Sequence, residues 1–467
     1  MTDLLLDLPA QLSLHLLGTW VGVSGIGMLD LAYNNKEKRT TLLDMFQSKE
    51  LVITDTTAYS DDYNVFFLSW CLLRKLRFSF FVLGYSTTEL VKQDVLSTFI
   101  TMNGPTLKTL GVHADSSRAN GVVSWWKAIA AQCSFLEEFE LDVVGGLEDG
   151  SVFATILRRN CPTLRKVDIK IDGFEADLPI DCAFPHLEEF HVRDEVTVVG
   201  VEQWMVNCPN LRRFAIDVRK HNMPQLLQNI AQHCKSINSI NLLQVGDDSV
   251  GGIIRHCPEG PALHLLFHEN SSETTMVNCF LRLKNIQSVS FVNNSQFNDG
   301  CLEAMRQFCA STLRKLSINR CEEVTFGALH ALVKECTMLS MLYLNDGPVL
   351  SPKQLSTLVR ACPIITRLSL IAPYRADDTV LASIATRCKE LTYLNIESGM
   401  TCHPYTMKGL KALLQGCSQL TTLCLGNAYK KVLTTESSAE LKTRYPNVSI
   451  EKDVSPGYKS DDSDEIQ

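Results

Sequence analysis

Ten cysteines recur along this chain at a nearly constant interval, and that rhythm limits the possible folds more than any other feature. Cys133, Cys161, Cys208, Cys234, Cys257, Cys309, Cys336, Cys362, Cys388 and Cys417 are separated by 28, 47, 26, 23, 52, 27, 26, 26 and 29 residues. The two long steps each span about two periods of ~26 residues. At 467 residues the chain exceeds the ~250–300 at which one compact core usually stops growing. A unit that stacks on copies of itself can still bury its apolar side chains at this length.

The apolar residues around each cysteine say what the unit is. Downstream they tend to stand at offsets of three, six and eight: Leu339, Leu342 and Leu344 after Cys336, Ile365, Leu368 and Leu370 after Cys362, Leu391, Leu394 and Ile396 after Cys388. Upstream they fall seven, four and three residues before it, as in Leu329, Leu332 and Val333 before Cys336, or Trp126, Ile129 and Ala130 before Cys133. Such spacing makes one face of a helix, with the cysteine as its last inward residue. Pro162, Pro209, Pro258 and Pro363 follow directly, and proline cannot continue a helix. Each unit therefore runs helix, cysteine, turn, short strand. Leu187, Phe190, Val192 and Ile286, Val289, Phe291 fill the two double steps without a cysteine in register. Weaker units occur at Leu73, Leu76, Phe78 and at Leu107, Leu110, Val112, with a terminal one at Tyr445, Val448, Ile450.

The Leu-x-x-Leu-x-Leu strand resembles that of leucine-rich repeats. The helix-then-Cys-Pro form resembles their cysteine-containing subfamily, whose helices begin roughly Ile-Thr-Asp-x-Gly-Leu. Phe297-Asn298-Asp299-Gly300-Cys301-Leu302 and Val324-Thr325-Phe326-Gly327-Ala328-Leu329 are near matches. The resemblance implies an α/β leucine-rich-repeat solenoid, a ribonuclease-inhibitor-like horseshoe with parallel strands on the concave face and helices outside. It would occupy residues 61–453. Residues 1–60 stand before it, and residues 454–467 form an acidic tail whose composition, Ser460-Asp461-Asp462-Ser463-Asp464-Glu465, is that of a disordered segment.

The first residues carry a more specific signal. Leu8-Pro9-Ala10-Gln11-Leu12-Ser13-Leu14-His15-Leu16-Leu17 resembles the opening of an F-box, a short helical module beginning Leu-Pro-x-Glu-Leu-Leu. Leu8, Pro9, Leu12, Leu16 and Leu17 match the pattern. Gln11, Ser13 and Trp20 depart from it, and Gly22, Gly25 and Gly27 weaken a helix beyond it. The other reading of the segment is a cap on the first repeat, since the open end of a solenoid exposes apolar surface. One segment can do both. The F-box resemblance implies a non-catalytic substrate-recognition subunit of a cullin-type (SCF) ubiquitin ligase. The N-terminus would dock on the ligase adaptor through Leu8, Pro9, Leu12, Leu16 and Leu17 while the repeats hold the target protein. The alternative is a repeat scaffold or inhibitor with no ubiquitin role.

Other function classes find little support. The net charge of −8 argues against nucleic acid as a main partner, because phosphate binding needs concentrated Lys and Arg. The start of the chain lacks the basic flank and clean apolar run of a signal peptide. The longest apolar stretch, Val65 to Tyr85, is broken by Arg74, Lys75 and Arg77, which would be costly in a membrane. A cytoplasmic or nuclear location is expected, and the odd cysteine count of 17 suits a reducing compartment. No Cys-x-x-Cys pair occurs, and ligands spaced one per repeat would not converge on a metal. The rung thiols are therefore expected to be small buried packing groups, whereas Cys71, Cys182, Cys279, Cys301, Cys321, Cys402 and Cys424, off the ladder, are expected to be more exposed. Gly22-Val23-Ser24-Gly25-Ile26-Gly27 lacks the spacing of a nucleotide-binding loop. No cofactor is expected.

Strand alternation puts offsets five, seven and nine from each cysteine on the face away from the core. Early in the chain these positions are charged: Glu138, Glu140, Asp142, Lys166, Asp168, Lys170, Glu189, His191 and Arg193. Later they are amphipathic: Met341, Tyr343, Asn345, Arg367, Ser369, Tyr393, Asn395 and Glu397. Tyr, Met and Arg are enriched in the cores of protein interfaces, so the later repeats are the expected target-binding surface.

Overall fold

Strands in this chain cannot pair through tight hairpins, because a helix separates almost every one from the next, and the ladders are accordingly parallel. The computed structural model describes residues 36–46, 52–53, 65–83, 93–115, 122–144, 150–171, 175–179, 181–193, 197–371, 376–397, 405–425, 433 and 435–451. Leu8, Pro9, Leu12, Leu16, Leu17 and the acidic tail lie outside these residues. The chain forms two compact units, Met1–Ser239 and Ile240–Gln467.

In the first unit Val52–Ile53 (β1) pairs with Arg77–Phe78 (β2). The main ladder runs through Phe80–Leu83 (β3), Thr109–Asp115 (β4), Glu138–Val144 (β5) and Lys166–Ile171 (β6). Glu175–Asp177 (β7) leaves it to pair with Thr197–Val199 (β9), while Glu189–Arg193 (β8) and Arg213–Asp217 (β10) continue it. The ladder goes on with Ser239–Val245 (β11), Ala262–Phe267 (β12), Ile286–Val292 (β13), Lys315–Asn319 (β14), Met341–Asn345 (β15), Arg367–Ile371 (β16), Tyr393–Glu397 (β17), Thr422–Cys424 (β18) and Ser449–Glu451 (β19). The result is one fifteen-stranded parallel sheet, with a helix between most successive strands. This is an α/β leucine-rich-repeat solenoid. No helix among the described residues is long and apolar enough to cross a membrane.

Register explains the burial. In the second unit Leu316, Leu342, Leu368, Leu394, Leu423 and Ile450 stand side by side on successive strands, as do Ile318, Leu344, Leu370 and Ile396. All but the terminal Ile450 are buried. In the first unit the equivalent columns carry larger side chains. Phe139 stacks on Trp126 at 6.2 Å, and Phe190 on Phe214 at 6.2 Å between rings.

Several rungs hold a helix end to the repeat before it. The Cys388 thiol points at the Cys362 carbonyl (3.9 Å) and the Cys417 thiol at the Cys388 carbonyl (3.5 Å). In two early repeats an asparagine takes this place. The fully buried Asn160 donates to the carbonyls of Cys133 (3.1 Å) and Ile156 (2.9 Å) and accepts from the Leu136 N–H (2.9 Å). Asn103 likewise donates to Phe99 and accepts from the Phe78 N–H. The expected rung at Cys161 is thus corrected: Asn160 fills it, and Cys161, one residue further, is only partly buried, as is Cys257. The expectation for the other cysteines is corrected too. Cys71, Cys279, Cys301, Cys321 and Cys424 are buried, Cys182 is intermediate, and Cys402 lies outside the described residues. Cys279 and Cys301 sit on inward helix faces, whereas Cys321 follows Ile318 by three residues, where the chain turns back into the core.

Helix starts are tied together in the second unit. Thr325 and Thr406 cap the helices Phe326–Glu335 and Met407–Gly416. Each also bonds through its N–H and hydroxyl to an aspartate at the start of the preceding helix. Asp299 accepts from Thr325 at 2.8 and 2.7 Å, and Asp378 from Thr406 at 2.7 and 2.7 Å. Asp247 does the same for Ser272 and adds the Thr275 hydroxyl at 2.5 Å. Gly409 is required beside the second of these, because a Cβ there would collide with the Asp378 carboxylate.

Candidate protein-binding face

Side chains that alternate away from the buried columns form the open face of the sheet. In the first unit it is a lattice of charge. Glu138, Lys166, Glu189 and Arg213 stand in one cross-strand row, with Arg213 paired to Glu189. His113 lies 3.5 Å from Glu140 and 3.8 Å from Asp142, and Lys170 lies 3.8 Å from Asp142. Asp168 and His191 are 3.5 Å apart and more than nine-tenths buried. The Arg193 side chain lies outside the described ones. Opposite charges on neighbouring strands stabilise the sheet by ~0.2–1 kcal/mol per pair. Prising apart the buried contact among these, Asp168 with His191, would leave buried polar groups uncompensated.

The second unit presents a different surface. Its first row reads Ser288, Lys315, Met341, Arg367, Tyr393 and Thr422 across β13 to β18. The second reads Ser290, Ser317, Tyr343, Ser369, Asn395 and Cys424. Val292, Asn319, Asn345, Ile371 and Glu397 make the third. The Lys315 ammonium lies 5.5 Å from the Tyr343 ring centre and the Arg367 guanidinium 5.0 Å from that of Tyr393. These are cation–π distances. Tyr343 also reaches the Met341 sulfur at 4.0 Å, and the Cys424 thiol lies 3.8 Å from the Tyr393 hydroxyl. Burial, followed by the neighbouring thiol, holds the Tyr393 phenol well above its usual pKa, so it stays a neutral hydroxyl.

Lys315, Met341, Tyr343, Asn345, Arg367 and Tyr393 are all partly exposed and lie on one side. Two positions differ from expectation. Asn395 and Ser369 are 5% and 3% exposed and form the floor of the surface, and the Glu397 side chain lies outside the described ones. Sequence reasoning missed Lys315, Ser317 and Asn319. The turn after Cys309 is one residue longer, so its strand is read from Leu313, Leu316 and Ile318, at offsets four, seven and nine. Counting from those leucines would have placed Lys315 outward. Thr422 and Cys424 satisfied the offset rule and were overlooked.

At the far end of the strands the backbone itself is shaped. Asn293, Arg320 and Asp346 follow β13, β14 and β15 with φ of 51°, 53° and 47°. Their N–H groups donate to Asn319, Asn345 and Ile371 on the next strand at 3.0, 2.9 and 3.1 Å. The ladder is thereby closed one residue beyond the open-face rows, which fixes the backbone under Asn319 and Asn345.

No protein-family model matches the sequence, and no curated protein matches it significantly. Among solved structures it is similar to internalin InlF from Listeria monocytogenes, at 13% identity over 70% of this chain and 82% of that one with a TM-score of 0.36. It is also similar to the Rad7 and Elc1 complex of yeast, at 16% identity over 97% and 93% with a TM-score of 0.41. A third likeness is to the leucine-rich-repeat-containing protein LegL7 from Legionella pneumophila, at 16% identity over 54% and 85% with a TM-score of 0.37. The leucine-rich-repeat architecture rests on the chain's own parallel ladder and helix-terminal rungs.

Proposed function

We propose that this chain is a non-catalytic recognition subunit that captures a target protein on the open face of β14–β17. The observation that carries this reading is the set of two cations laid over two tyrosines, with Met341 between them, on a rigid ladder. Aromatic and Arg anchors commonly supply most of an interface's energy. More specifically, the chain serves as the substrate-binding component of a cullin-type (SCF) ubiquitin ligase, in the cytoplasm or nucleus. The support for this is the F-box-like spacing of Leu8, Pro9, Leu12, Leu16 and Leu17, which would dock on the adaptor.

Two variants separate the two contacts. L16E/L17E should abolish copurification of the adaptor and leave the repeats folded and target capture intact. Y343A/R367A/Y393A should retain the adaptor and weaken target capture at least ~30-fold, the effect of losing ~2 kcal/mol of anchor energy. If no adaptor copurifies with the intact chain while the face variant still loses its target, the protein is a repeat scaffold without a ubiquitin role.

A further inference from the structure

Because Asn160 takes the rung, the cysteine that follows it is turned out of the core, and the next repeat sets a second thiol against it. Cys161 is partly exposed. The next repeat carries no helix between β6 and β8 among its described residues. Its rung is the fully buried Phe184, three, six and eight residues before Leu187, Phe190 and Val192. Cys182 precedes that rung by two residues and is partly exposed as well. Its thiol donates to the Pro179 carbonyl at 3.5 Å and is also hydrogen-bonded to the Cys161 sulfur. The neighbouring rung thiols of Cys133, Cys208 and Cys234, by contrast, are buried.

The chain on either side holds the pair in place. Asn160 fixes the end of the helix Gly150–Asn160 against the repeat before it. The Phe184 N–H donates to the Asn207 carbonyl of the repeat after it at 2.9 Å. Between these anchors Arg158 reaches across to Asp181, the residue before Cys182, with nitrogen-to-oxygen distances of 3.1 to 3.3 Å. The Arg158 guanidinium also interacts with both sulfurs, and a cation beside a thiol favours its thiolate. Cys182 nevertheless keeps its proton at neutral pH, since burial, followed by the adjacent Cys161 sulfur, pushes it up to about 12.

We propose that Cys161 and Cys182 form an oxidation site at which hydrogen peroxide closes a disulfide between two neighbouring repeats of the first unit. The Cys161 thiolate attacks one peroxide oxygen and the O–O bond breaks. Cys161 becomes a sulfenic acid, and the released hydroxide takes up the proton that Cys161 lost. The Cys182 sulfur then attacks the sulfenic sulfur, the S–OH bond breaks, and the hydroxide departs as water with the Cys182 proton. Two thiols and one peroxide thus give one disulfide and two waters, with two electrons passing from sulfur to oxygen. Cys182 acts second because its proton is released only in this step. The bond closes a loop that contains β6 and β7, and such a constraint acts chiefly by restricting the unfolded chain.

The test uses the full-length chain, reduced, freed of reductant and kept at low micromolar concentration. After brief exposure to a small excess of hydrogen peroxide, the remaining thiols are blocked with N-ethylmaleimide. Non-reducing peptide mass spectrometry should find Cys161 joined to Cys182 within one chain, two hydrogens lighter than the separate peptides and parted by dithiothreitol. In C182S the reaction should stop at a sulfenic acid on Cys161, captured by dimedone, whereas C161S should give neither a link nor an adduct on Cys182. Phenylarsine oxide, whose arsenic binds two thiols held together, should protect both cysteines from maleimide in the parent and neither in the single variants. Peroxide should raise the urea midpoint of the parent and leave that of C161S/C182S unchanged, while the double variant matches the reduced parent in thermal unfolding. Maleimide on both cysteines after peroxide, a link to Cys208 or between two chains, or a link that forms only once urea has unfolded the chain overturns the proposal. Equal arsenical protection in parent and single variants overturns it too, because the two thiols would then not act as a pair.

Discussion

A cysteine and an asparagine fill the same rung because the rung needs a small buried donor aimed at the carbonyl of the preceding repeat. They are not equal in strength. A thiol is a weak donor, whereas Asn160 supplies two hydrogen bonds and accepts a third. Asn160→Ala should therefore cost about 3 kcal/mol through buried carbonyls and an N–H left unsatisfied, and Cys388→Ala about 1 kcal/mol. Urea unfolding of the two variants checks the order, and a larger loss for Cys388→Ala would contradict it. Burial pushes the thiols of Cys336 and Cys388 up to about 12 and that of Cys417 to about 11, so at neutral pH they should alkylate slowly in the folded chain. A thiol raised in the folded state contributes stability that is complete below its unfolded pKa near 9.0 and is lost as pH rises through about 12. Stability should thus decline on the alkaline side, less steeply in Cys388→Ala, as followed by chemical unfolding at stepped pH. The ladder of cysteines was plain in the sequence. The asparagine rungs were hidden because residue identity was tracked there, while what repeats physically is a donor at a helix end.

At the level of the element, three neighbouring pairs of helices in the second unit are linked start to start. An aspartate on one helix accepts from the capping residue of the next, which in turn caps its own third N–H. Thr406→Ala should lower stability by about 1 kcal/mol, the usual effect of losing a cap. Gly409→Ala should lower it as well, since the new methyl displaces the Asp378 carboxylate, and the pair of changes should be less than additive because they break one contact. The Thr275 hydroxyl and the Ser272 donors hold the Asp247 carboxyl below its ordinary value of 3.8. A depressed carboxyl contributes stability above its unfolded pKa and loses it as pH falls through the folded one. Asp247→Asn should therefore flatten the acid limb of the stability curve below about pH 4, and an unchanged limb would show the contact to be idle. None of this could be read from the Ile-Thr-Asp-x-Gly-Leu resemblance alone, which gave residues at the helix start but not that they bridge two repeats.

For the whole molecule, the fold was legible because every repeat restates the same pattern, so that one missed rung or one longer turn does not shift the next. The open face was less legible, since its residues follow no pattern and are placed only by counting from buried neighbours, as the miss at Lys315 shows. Repetition also dictates how damage should spread. Leu394 is fully buried and stands between Leu368 on β16 and Leu423 on β18. Leu394→Ala removes a core side chain with cavity formation and should cost on the order of 2–5 kcal/mol. In a solenoid each repeat touches only its neighbours, so stability is a sum of repeat and interface contributions. Hydrogen exchange in the variant should then accelerate first at the amides of β16, β17 and β18, with β12 in the same unit keeping the parent's protection. Uniform acceleration through the unit would mean that it unfolds as one cooperative body in which no repeat has a stability of its own, and parent-like exchange at β16 to β18 would mean that Leu394 does not hold these strands together.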